Sequence, residues 1–241
     1  MKISVILPAF NEEKLIANTL HCVTSAMTVF NERGWPGEVI VCDNNSTDRT
    51  AEIAQAAGAR VVFESVNQIA RARNKGAEAA TGEWLIFIDA DSCPSPELFR
   101  DAADAIETPG IIAGGSTIRL DATDWLASLT TRVWNCISLT TTSMAGSFIF
   151  CEAAAFRRVG GFNQELFASE ELDLCKRLKK VAAQSGRKIV ILKDHPLVTS
   201  ARKFQLYSRK EYFRFLSRTA LGWGRTLQSA KECHIWYDGR R

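Results

Sequence analysis

Two aspartates stand directly after a short, fully apolar run of the chain. Trp84–Ile88 is such a run, and Asp89 and Asp91 follow it at once. The run predicts a strand buried inside a parallel sheet, and ligands of open α/β sheets bind just outside the carboxyl ends of the strands. Two carboxylates spaced i, i+2 at such an end supply hard oxygen ligands for a Mg²⁺ or Mn²⁺ ion that carries phosphates. The alternative interpretation is a solvated acidic turn.

Three further polar segments are expected at the same edge of the sheet. Pro8–Glu13 and Asp43–Asp48 each follow an apolar run, and Arg71 and Arg73 open a later helix. Acidic and amide groups in the first two segments suit a ribose and a nucleobase, and guanidinium groups pair well with phosphate. Together the segments describe a nucleoside-diphosphate site. Taken singly, they are also a helix start, a helix cap and two solvated arginines.

A second acidic pair lies far along the chain. Glu170 and Glu171 begin a predicted helix after Gly160 and Gly161, and the paired glycines indicate a tight turn or a close backbone approach to a ligand. Acidic residues in a first helical turn also favour the helix itself. The functional interpretation is a general base that faces the metal site.

His195 and Arg202 complete the candidate site residues. His195 is predicted in a polar loop just past the strand Lys188–Leu192, where it would contact the metal or a phosphate. A lone histidine is also commonly structural. Arg202 and Lys203 would clamp a leaving diphosphate.

These side chains need a scaffold, and the first half of the chain alternates strand and helix patterns. The predicted strands are Ile3–Leu7, Glu38–Cys42, Arg60–Phe63 and Trp84–Ile88, and the predicted helices are Glu12–Arg33, Asp48–Ala57, Gln68–Ala80 and Pro96–Ile106. This order predicts a doubly wound, mainly parallel sheet of the α/β class. The second half is less regular, with strands at Ile111–Ile118, Gly146–Cys151 and Lys188–Leu192 and helices at Trp125–Leu139, Ser169–Ala183 and Lys210–Leu227.

The charge of the 241 residues is unevenly distributed. The net charge is +3, but residues 201–241 hold ten Lys and Arg against three Asp and Glu, so residues 1–200 carry −4. A basic end on an acidic body indicates an anionic partner, such as nucleic acid, a phospholipid surface or a substrate diphosphate, or else a solvated helix face.

The cysteines and the apolar runs bear on the compartment. Seven cysteines are scattered without a C-x-x-C pair, and Cys42, Cys136 and Cys151 lie in apolar runs. This predicts free buried thiols in a reducing compartment. The first apolar run is too short for a signal peptide, and no stretch approaches the roughly 20 apolar residues of a membrane span. We therefore expect a cytoplasmic protein, soluble or peripheral to the inner membrane face.

The order of these motifs resembles family 2 glycosyltransferases with the GT-A fold. The resemblance covers roughly residues 2–203. It is carried by the segments Ser4–Glu13, Val41–Asp48, Ala72–Gly76, Asp89–Asp91, Gly160–Phe162 and Glu170–Leu174. It implies transfer of a sugar from a nucleotide-sugar donor to an acceptor hydroxyl, with inversion at the anomeric carbon. It also implies a catalytic domain over residues 1–203, with a donor half (1–110) and an acceptor half (111–203), followed by a basic aromatic tail (204–241).

The resemblance assigns roles to individual residues. Asp89 and Asp91 match the metal-binding DXD motif, and Glu171 or Glu170 matches the catalytic base. The resemblance also matches Pro8, Phe10, Glu12 and Asp43 to donor contact. With the chemistry of the individual side chains, the residues expected to contact the donor further include Asn44, Arg71, Arg73, Asn74, Asp89, Ala90 and Arg202. The chain departs from the family pattern where Glu171 replaces the usual Asp and where Asn44 replaces a second Asp.

Three other functions compete with sugar transfer. A phosphoryl-transfer hydrolase would use Asp89 as its nucleophile, but its motif usually lies on the first strand. A nucleotidyltransferase would carry a glycine-rich loop after the first strand, where this chain has Pro8–Glu12 without glycine. A non-catalytic nucleotide-sugar-binding module would not need the acid at position 171.

The acceptor is predicted from the least regular part of the chain. The apolar region from Trp125 to Gly146 falls where the family's acceptor-facing region lies. With the basic helix Lys210–Arg225 it would rest on a membrane and admit a lipid-linked acceptor, or it is ordinary core and the acceptor is a saccharide. We expect no nucleic-acid partner.

Overall fold

The computed structural model describes residues 1–121, 125–202, 206, 225–233 and 237. Lys203 and the predicted basic helix Lys210–Leu227, up to residue 224, lie outside these residues. The strands are β1 (Ile3–Ala9), β2 (Gly37–Asp43), β3 (Arg60–Phe63), β4 (Trp84–Ile88), β5 (Ser92–Cys93), β6 (Ile111–Leu120), β7 (Phe148–Glu152) and β8 (Lys188–Thr199). The helices are α1 (Ile16–Glu32), α2 (Thr50–Ala56), α3 (Ile69–Ala79), α4 (Pro96–Glu107), α5 (Trp125–Thr141), α6 (Ala153–Arg158) and α7 (Glu170–Gln184), followed by a 3₁₀ turn at Arg225–Gln228. In the described parts of the chain, no helix is both long enough and apolar enough to cross a membrane.

The strands form one sheet in the order β3-β2-β1-β4-β7-β6-β8-β5. Strands β3, β2, β1 and β4 are parallel, β7 is antiparallel to both β4 and β6, and β6 and β8 are again parallel. Because parallel strands end at the same edge, the ends of β1 and β2 lie side by side, with Ala9 opposite Asp43. The predicted doubly wound, mainly parallel α/β fold is confirmed.

Strand β4 is buried on both faces of the sheet. Trp84, Ile86 and Ile88 pack into a hydrophobic cluster with α1 and α4, whereas Leu85 and Phe87 pack into a second cluster with α3, α6 and α7. A strand covered on both faces is apolar throughout instead of alternating. Burying an apolar side chain of this size contributes about 1.5–3 kcal/mol. The firmly packed strand therefore fixes the backbone position of Asp89, which follows it.

The second half departs from its predicted elements in two ways. Strand β8 continues well past Leu192 to Thr199, because it pairs with β6 and then with β5. The two-residue strand β5 and the short helix α6 were not predicted. Both halves of the chain share one sheet, because β7 pairs with β4 along its whole length. The domain boundaries at residues 110 and 203 stay predictions.

The expectation that the cysteines are free is wrong for one pair. Cys22 on α1 and Cys93 on β5 form a disulfide that closes a sequence separation of 71 residues. Cys42 and Cys151 are free and buried as predicted, but Cys136 is exposed on α5. The disulfide also removes the argument for a reducing compartment, which rested on free thiols.

Candidate active site

The loops after β1, β2 and β4 enclose a small cavity at the carboxyl edge of the sheet. Its volume is about 50 Å³. The predicted residues that line it are Pro8, Phe10, Glu12, Asn44, Asp89, Ala90 and Asp91. The fold thus brings three separate sequence motifs to one place, as the sequence predicted.

Asn44 shapes this first cavity through the neighbouring backbone. Its Nδ2 donates to the Val66 carbonyl at 2.6 Å, and its Oδ1 accepts from the Gln68 amide at 2.8 Å. Gln68 directly precedes α3, so Asn44 fixes the start of that helix. An aspartate, which has no donor when ionised, would lose the bond to Val66. Asp43 also bonds to backbone, accepting from the Ser46 amide at 3.2 Å.

Arg73 connects the metal motif to the acidic pair. Its guanidinium group donates to Asp89 Oδ1 at 2.8 Å, to Glu170 Oε1 at 2.5 Å and to the Gly146 carbonyl at 2.8 Å. The side chain is buried and lies over the Phe162 ring, 5.2 Å from its centroid. Burial lowers the pKa of Arg73, but Asp89 and Glu170 more than offset this, so the pKa is raised and the charge is kept. Arg73 therefore holds protein carboxylates, and the prediction that it pairs with a donor phosphate is not supported.

Arg71 and Asn74, also predicted to touch the donor, have protein partners instead. Arg71 donates to Gln68 Oε1 at 3.1 Å. Asn74 donates to the Phe162 carbonyl and accepts from the Phe162 amide, each at 2.9 Å. Gly161 has φ +70°, and a Cβ built on it would lie 2.6 Å from Asn74 Oδ1. The paired glycines thus let a tight turn dock on Asn74, which explains that motif without a ligand.

The acidic pair begins α7 and faces a second cavity of about 380 Å³. Asp89, Asp91, Glu170 and Glu171 all line this cavity. Ser169, just before the pair, has a left-handed backbone with φ 63°, an uncommon conformation for a residue other than glycine. Burial and, next, repulsion by Glu170 raise the pKa of Glu171 to about 8. The two neighbouring acids thus have different environments. Glu170 is bound by Arg73, whereas Glu171 lies at the cavity wall and has a raised pKa.

Arg202 lies where the sequence predicted, at the carboxyl edge of the sheet. It donates to Glu12 Oε1 at 2.7 Å and is 3.7 Å from Asp91 Oδ2. The Asp89–Asp91 loop is further held by α1, because Thr19 Oγ1 donates to the Ala90 carbonyl at 2.8 Å and the Cys22–Cys93 disulfide follows one turn later.

His195 was predicted in a loop next to the metal, and that position is wrong. It lies inside β8, is largely exposed, and its Nδ1 is 2.8 Å from Asp101 Oδ2 on α4. It lines neither of the two cavities. Nothing in this placement supports a metal contact, since the polar residues after Leu192 continue the strand instead of ending it.

Asp89 and Asp91 fit a divalent cation that is shared with a ligand. They line both cavities, and in the described residues no cluster of three or more His, Cys, Asp and Glu could hold a metal alone. Mg²⁺ is commonly bound through one or two carboxylates, with substrate phosphates and waters as its other ligands. The donor set is therefore suited to a cation that arrives with a diphosphate.

Two residues of this region were missed from the sequence. Tyr237 lines the first cavity, where its hydroxyl accepts from the Ile69 amide at 3.3 Å, and its ring contacts Phe167 edge-on. Gly146 lies beside Glu171, since a Cβ built there would be 3.1 Å from Arg73 and 3.5 Å from Glu171. Neither has a motif around it, so only the fold identifies them.

Comparison with known proteins agrees with this geometry. The sequence model of glycosyl transferase family 2 matches residues 4–159. The chain belongs to that family, and the resemblance seen in the sequence is confirmed.

Individual relatives are similar over part of their length. The undecaprenyl-phosphate 4-deoxy-4-formamido-L-arabinose transferase of Edwardsiella ictaluri is 30% identical over 168 residues, which is 64% of this chain and 49% of that protein. The dolichol-phosphate mannosyltransferase of Pyrococcus furiosus is 29% identical over 121 residues, which is 48% of this chain and 33% of that protein. The chain thus spans about half or less of these relatives.

Solved structures share the fold at lower identity. A mannosyltransferase from Pyrobaculum calidifontis, in complex with GDP-Man and Mn²⁺, has a TM-score of 0.69 at 20% identity, covering 96% of this chain and 64% of that one. S. aureus TarS 1–349, in complex with UDP-GlcNAc, has a TM-score of 0.65 at 22% identity, covering 98% of this chain and 69% of that one. The predicted GT-A fold is confirmed.

Proposed function

We propose that this protein is an inverting glycosyltransferase that moves a sugar from a nucleoside-diphosphate sugar to an acceptor hydroxyl. The observation that carries the proposal is that two cavities meet at Asp89 and Asp91. The first cavity is formed by the loops of the donor motifs, and the second contains Glu171. A donor in the first and an acceptor in the second would place the bond to be broken between the metal motif and a base.

The nucleoside diphosphate is assigned to the edge of the sheet around the first cavity, which at about 50 Å³ would take only part of it. Pro8, Phe10 and Asn44 line that cavity, and Asp43 directly precedes Asn44. Asp89 and Asp91 would hold Mg²⁺ or Mn²⁺, which when bound supplies positive charge to the departing diphosphate. Arg202, which bridges Glu12 and Asp91, is placed to add a second positive charge at this edge. Mn²⁺ is present in the Pyrobaculum calidifontis complex, and this supports a divalent cation without choosing between the two metals.

Glu171 is proposed as the base. Its pKa of about 8 is well matched to taking a proton from a hydroxyl near neutral pH, because an efficient general base has a pKa close to the working pH. Glu170 is engaged by Arg73 and serves to position α7. Attack by the acceptor oxygen from the side opposite the diphosphate forms the new glycosidic bond, breaks the old one and inverts the anomeric carbon. The acceptor proton passes to Glu171.

The acceptor class is proposed from the cavity and from the relatives. The second cavity has apolar walls at Ile118, Leu120 and Trp134 as well as its acids. The names of relatives include undecaprenyl phosphate, dolichol phosphate and poly(ribitol-phosphate). We propose a hydroxyl carried on a lipid phosphate or a saccharide, reached by a protein in peripheral contact with the membrane.

Calorimetric titration with a panel of nucleoside diphosphates, with and without Mn²⁺, tests the proposal. We expect one nucleotide to bind tightly, and only when Mn²⁺ is present. The D91A variant should lose this binding, whereas D101A, which removes an acid outside both cavities, should keep it. Binding of no nucleotide would contradict the transferase and favour the hydrolase. Metal-dependent binding together with an E171Q variant that transfers sugar at the full rate would contradict Glu171 as base.

A further inference from the structure

Helix α5 carries large apolar residues on its exposed face, unlike an ordinary surface helix. Four large apolar side chains recur every four residues on its outer side. They are Trp125 (65% exposed), Leu129 (50%), Val133 (52%) and Ile137 (45%), here called the α5 stripe. At a rise of about 1.5 Å per residue the stripe is about 18 Å long. A surface helix normally turns its apolar residues towards the core, so this face is built to be covered.

The inner side of α5 is attached by small and polar side chains. Ala127, Thr131 and Ser138 are the buried positions. Asn135 donates to the Ile118 carbonyl at 2.9 Å and accepts from the Ile118 amide at 3.0 Å, which ties the helix to the edge of β6. Since these hydrogen bonds attach α5 to β6, the helix does not depend on burial of the four stripe residues, which lie on its outer side.

The charge of α5 and of the chain's basic end favours an anionic surface. Across Trp125–Thr141 the only charged residue is Arg132, which is exposed, and the helix has no Asp or Glu. The sequence of residues 201–241 adds ten Lys and Arg against three Asp and Glu. A tryptophan at one end of an apolar face, an exposed arginine and the absence of acids on the same helix are features of helices that lie in the plane of a membrane interface.

We propose that the α5 stripe is the surface by which this protein docks on an anionic lipid membrane, with α5 lying in the plane of the interface. A second copy of the chain is the competing occupant. The exposed parts of the four side chains amount to roughly 450 Å², which falls short of the about 800 Å² per partner of a stable protein interface. A lipid surface needs no such minimum, because it adapts to whatever apolar area is offered.

The same helix borders the second cavity, and this gives the docking surface a purpose. Trp134 of α5 and Ile118 and Leu120 of β6 line the cavity together with Asp91 and Glu171. A membrane that covers the α5 stripe would lie beside an apolar wall that leads to the base. This step rests on the proposed function, since it makes the acceptor a hydroxyl carried by a membrane lipid.

Vesicle co-sedimentation tests the docking surface. The full chain is mixed with phosphatidylglycerol–phosphatidylcholine vesicles and with phosphatidylcholine vesicles, at low and high salt. We compare L129S/V133S with the matched control F63S/V66S, which replaces two apolar residues of similar exposure outside α5. We expect the anionic vesicles to bind the wild type and the control, and L129S/V133S to bind at least about tenfold more weakly. Binding should weaken with salt.

The other outcomes overturn the proposal. Equal vesicle binding by L129S/V133S and the wild type would place the contact on another surface. If the wild type does not bind vesicles but sediments as a dimer, and the L129S/V133S variant sediments as a monomer, the stripe is the contact to a second copy of the chain. A monomer that ignores vesicles would refute docking altogether. Nucleoside-diphosphate titration of the same variants separates this result from failure of the proposed function, because the serines lie outside the first cavity.

Discussion

Replacing Glu171 by Gln should stabilise the protein and abolish sugar transfer, and the stabilisation should depend on pH in a defined way. Burial and Glu170 raise the pKa of Glu171 from 4.5 to about 8 in the folded chain. Between these two values the unfolded chain has released the proton and the folded chain has kept it. The unfolded state therefore binds fewer protons, and stability falls as the pH rises through this window. The amide of the E171Q variant cannot ionise, so this loss is absent from the variant.

The size of the effect follows from the same two values. Below about pH 4 the carboxyl is protonated in both states, and the two proteins should differ little. At pH 7 the ionisation of Glu171 in the unfolded chain should lower the free energy of unfolding of the wild type by about 3 kcal/mol relative to E171Q, at 1.36 kcal/mol per pKa unit. Above pH 8 the difference stops growing, because Glu171 is then ionised in both states.

Urea unfolding of the metal-free protein at a series of pH values measures this difference. The free energy of unfolding of E171Q minus that of the wild type should rise from near zero at pH 4 to its plateau above pH 8. A stability difference that is independent of pH would refute the reasoning, because it would mean that the folded and unfolded chains ionise Glu171 alike. Transfer by the wild type should increase with pH up to about 8, as the base loses its proton.

Three further predictions concern Arg73, the Cys22–Cys93 disulfide and the length of the side chain at position 171. R73M should lower the free energy of unfolding by about 3–5 kcal/mol in urea titration, because it leaves the Glu170 carboxylate buried without its cation, whereas R49M, at an exposed pair, should change little. C22S/C93S should lose about 4 kcal/mol, the chain-entropy value for a loop of 71 residues, and reductant should lower the melting temperature of the wild type but not of this variant. E171D should reduce kcat about 100-fold with little change in nucleotide affinity, because it withdraws the carboxylate by one methylene; an unchanged kcat would contradict the base assignment.

The fold was predictable because its strands are defined by local pattern. Trp84–Ile88 is bounded as predicted, since both of its faces are covered and the charged Asp89 ends the apolar run. Strand β8 was cut short at Leu192 because Lys193, Asp194 and His195 read as a loop. These three residues lie in an irregularity of the ladder, and the strand resumes because Leu197–Thr199 pair with β6 and, in part, with β5. A local pattern does not contain these partners.

The candidate site was predictable as a set of motifs but not as a set of contacts. The positions of Asp89, Asp91 and Glu171 follow from strand ends and a helix start. That Arg73 would bind Asp89 and Glu170 does not, because a guanidinium group suits a phosphate and a carboxylate equally well. The disulfide was missed for a similar reason: pairing requires Cα atoms within about 7 Å, and a sequence separation of 71 gives no indication of distance.

The departure at position 171 has a structural counterpart across the site. Glu171 is one methylene longer than the aspartate usual in the family, and its side chain passes close to Gly146, where a Cβ would lie 3.5 Å away. The Gly146 carbonyl also accepts from Arg73, which holds Glu170 and Asp89. A Cβ at position 146 would be in ordinary van der Waals contact with Glu171, but at 3.1 Å it would crowd the Arg73 guanidinium group, which would have to shift by a few tenths of an ångström. Glycine at position 146 therefore leaves undisturbed the cation that binds Glu170 and Asp89, and it allows the longer Glu171 side chain to pack against the backbone at the second cavity.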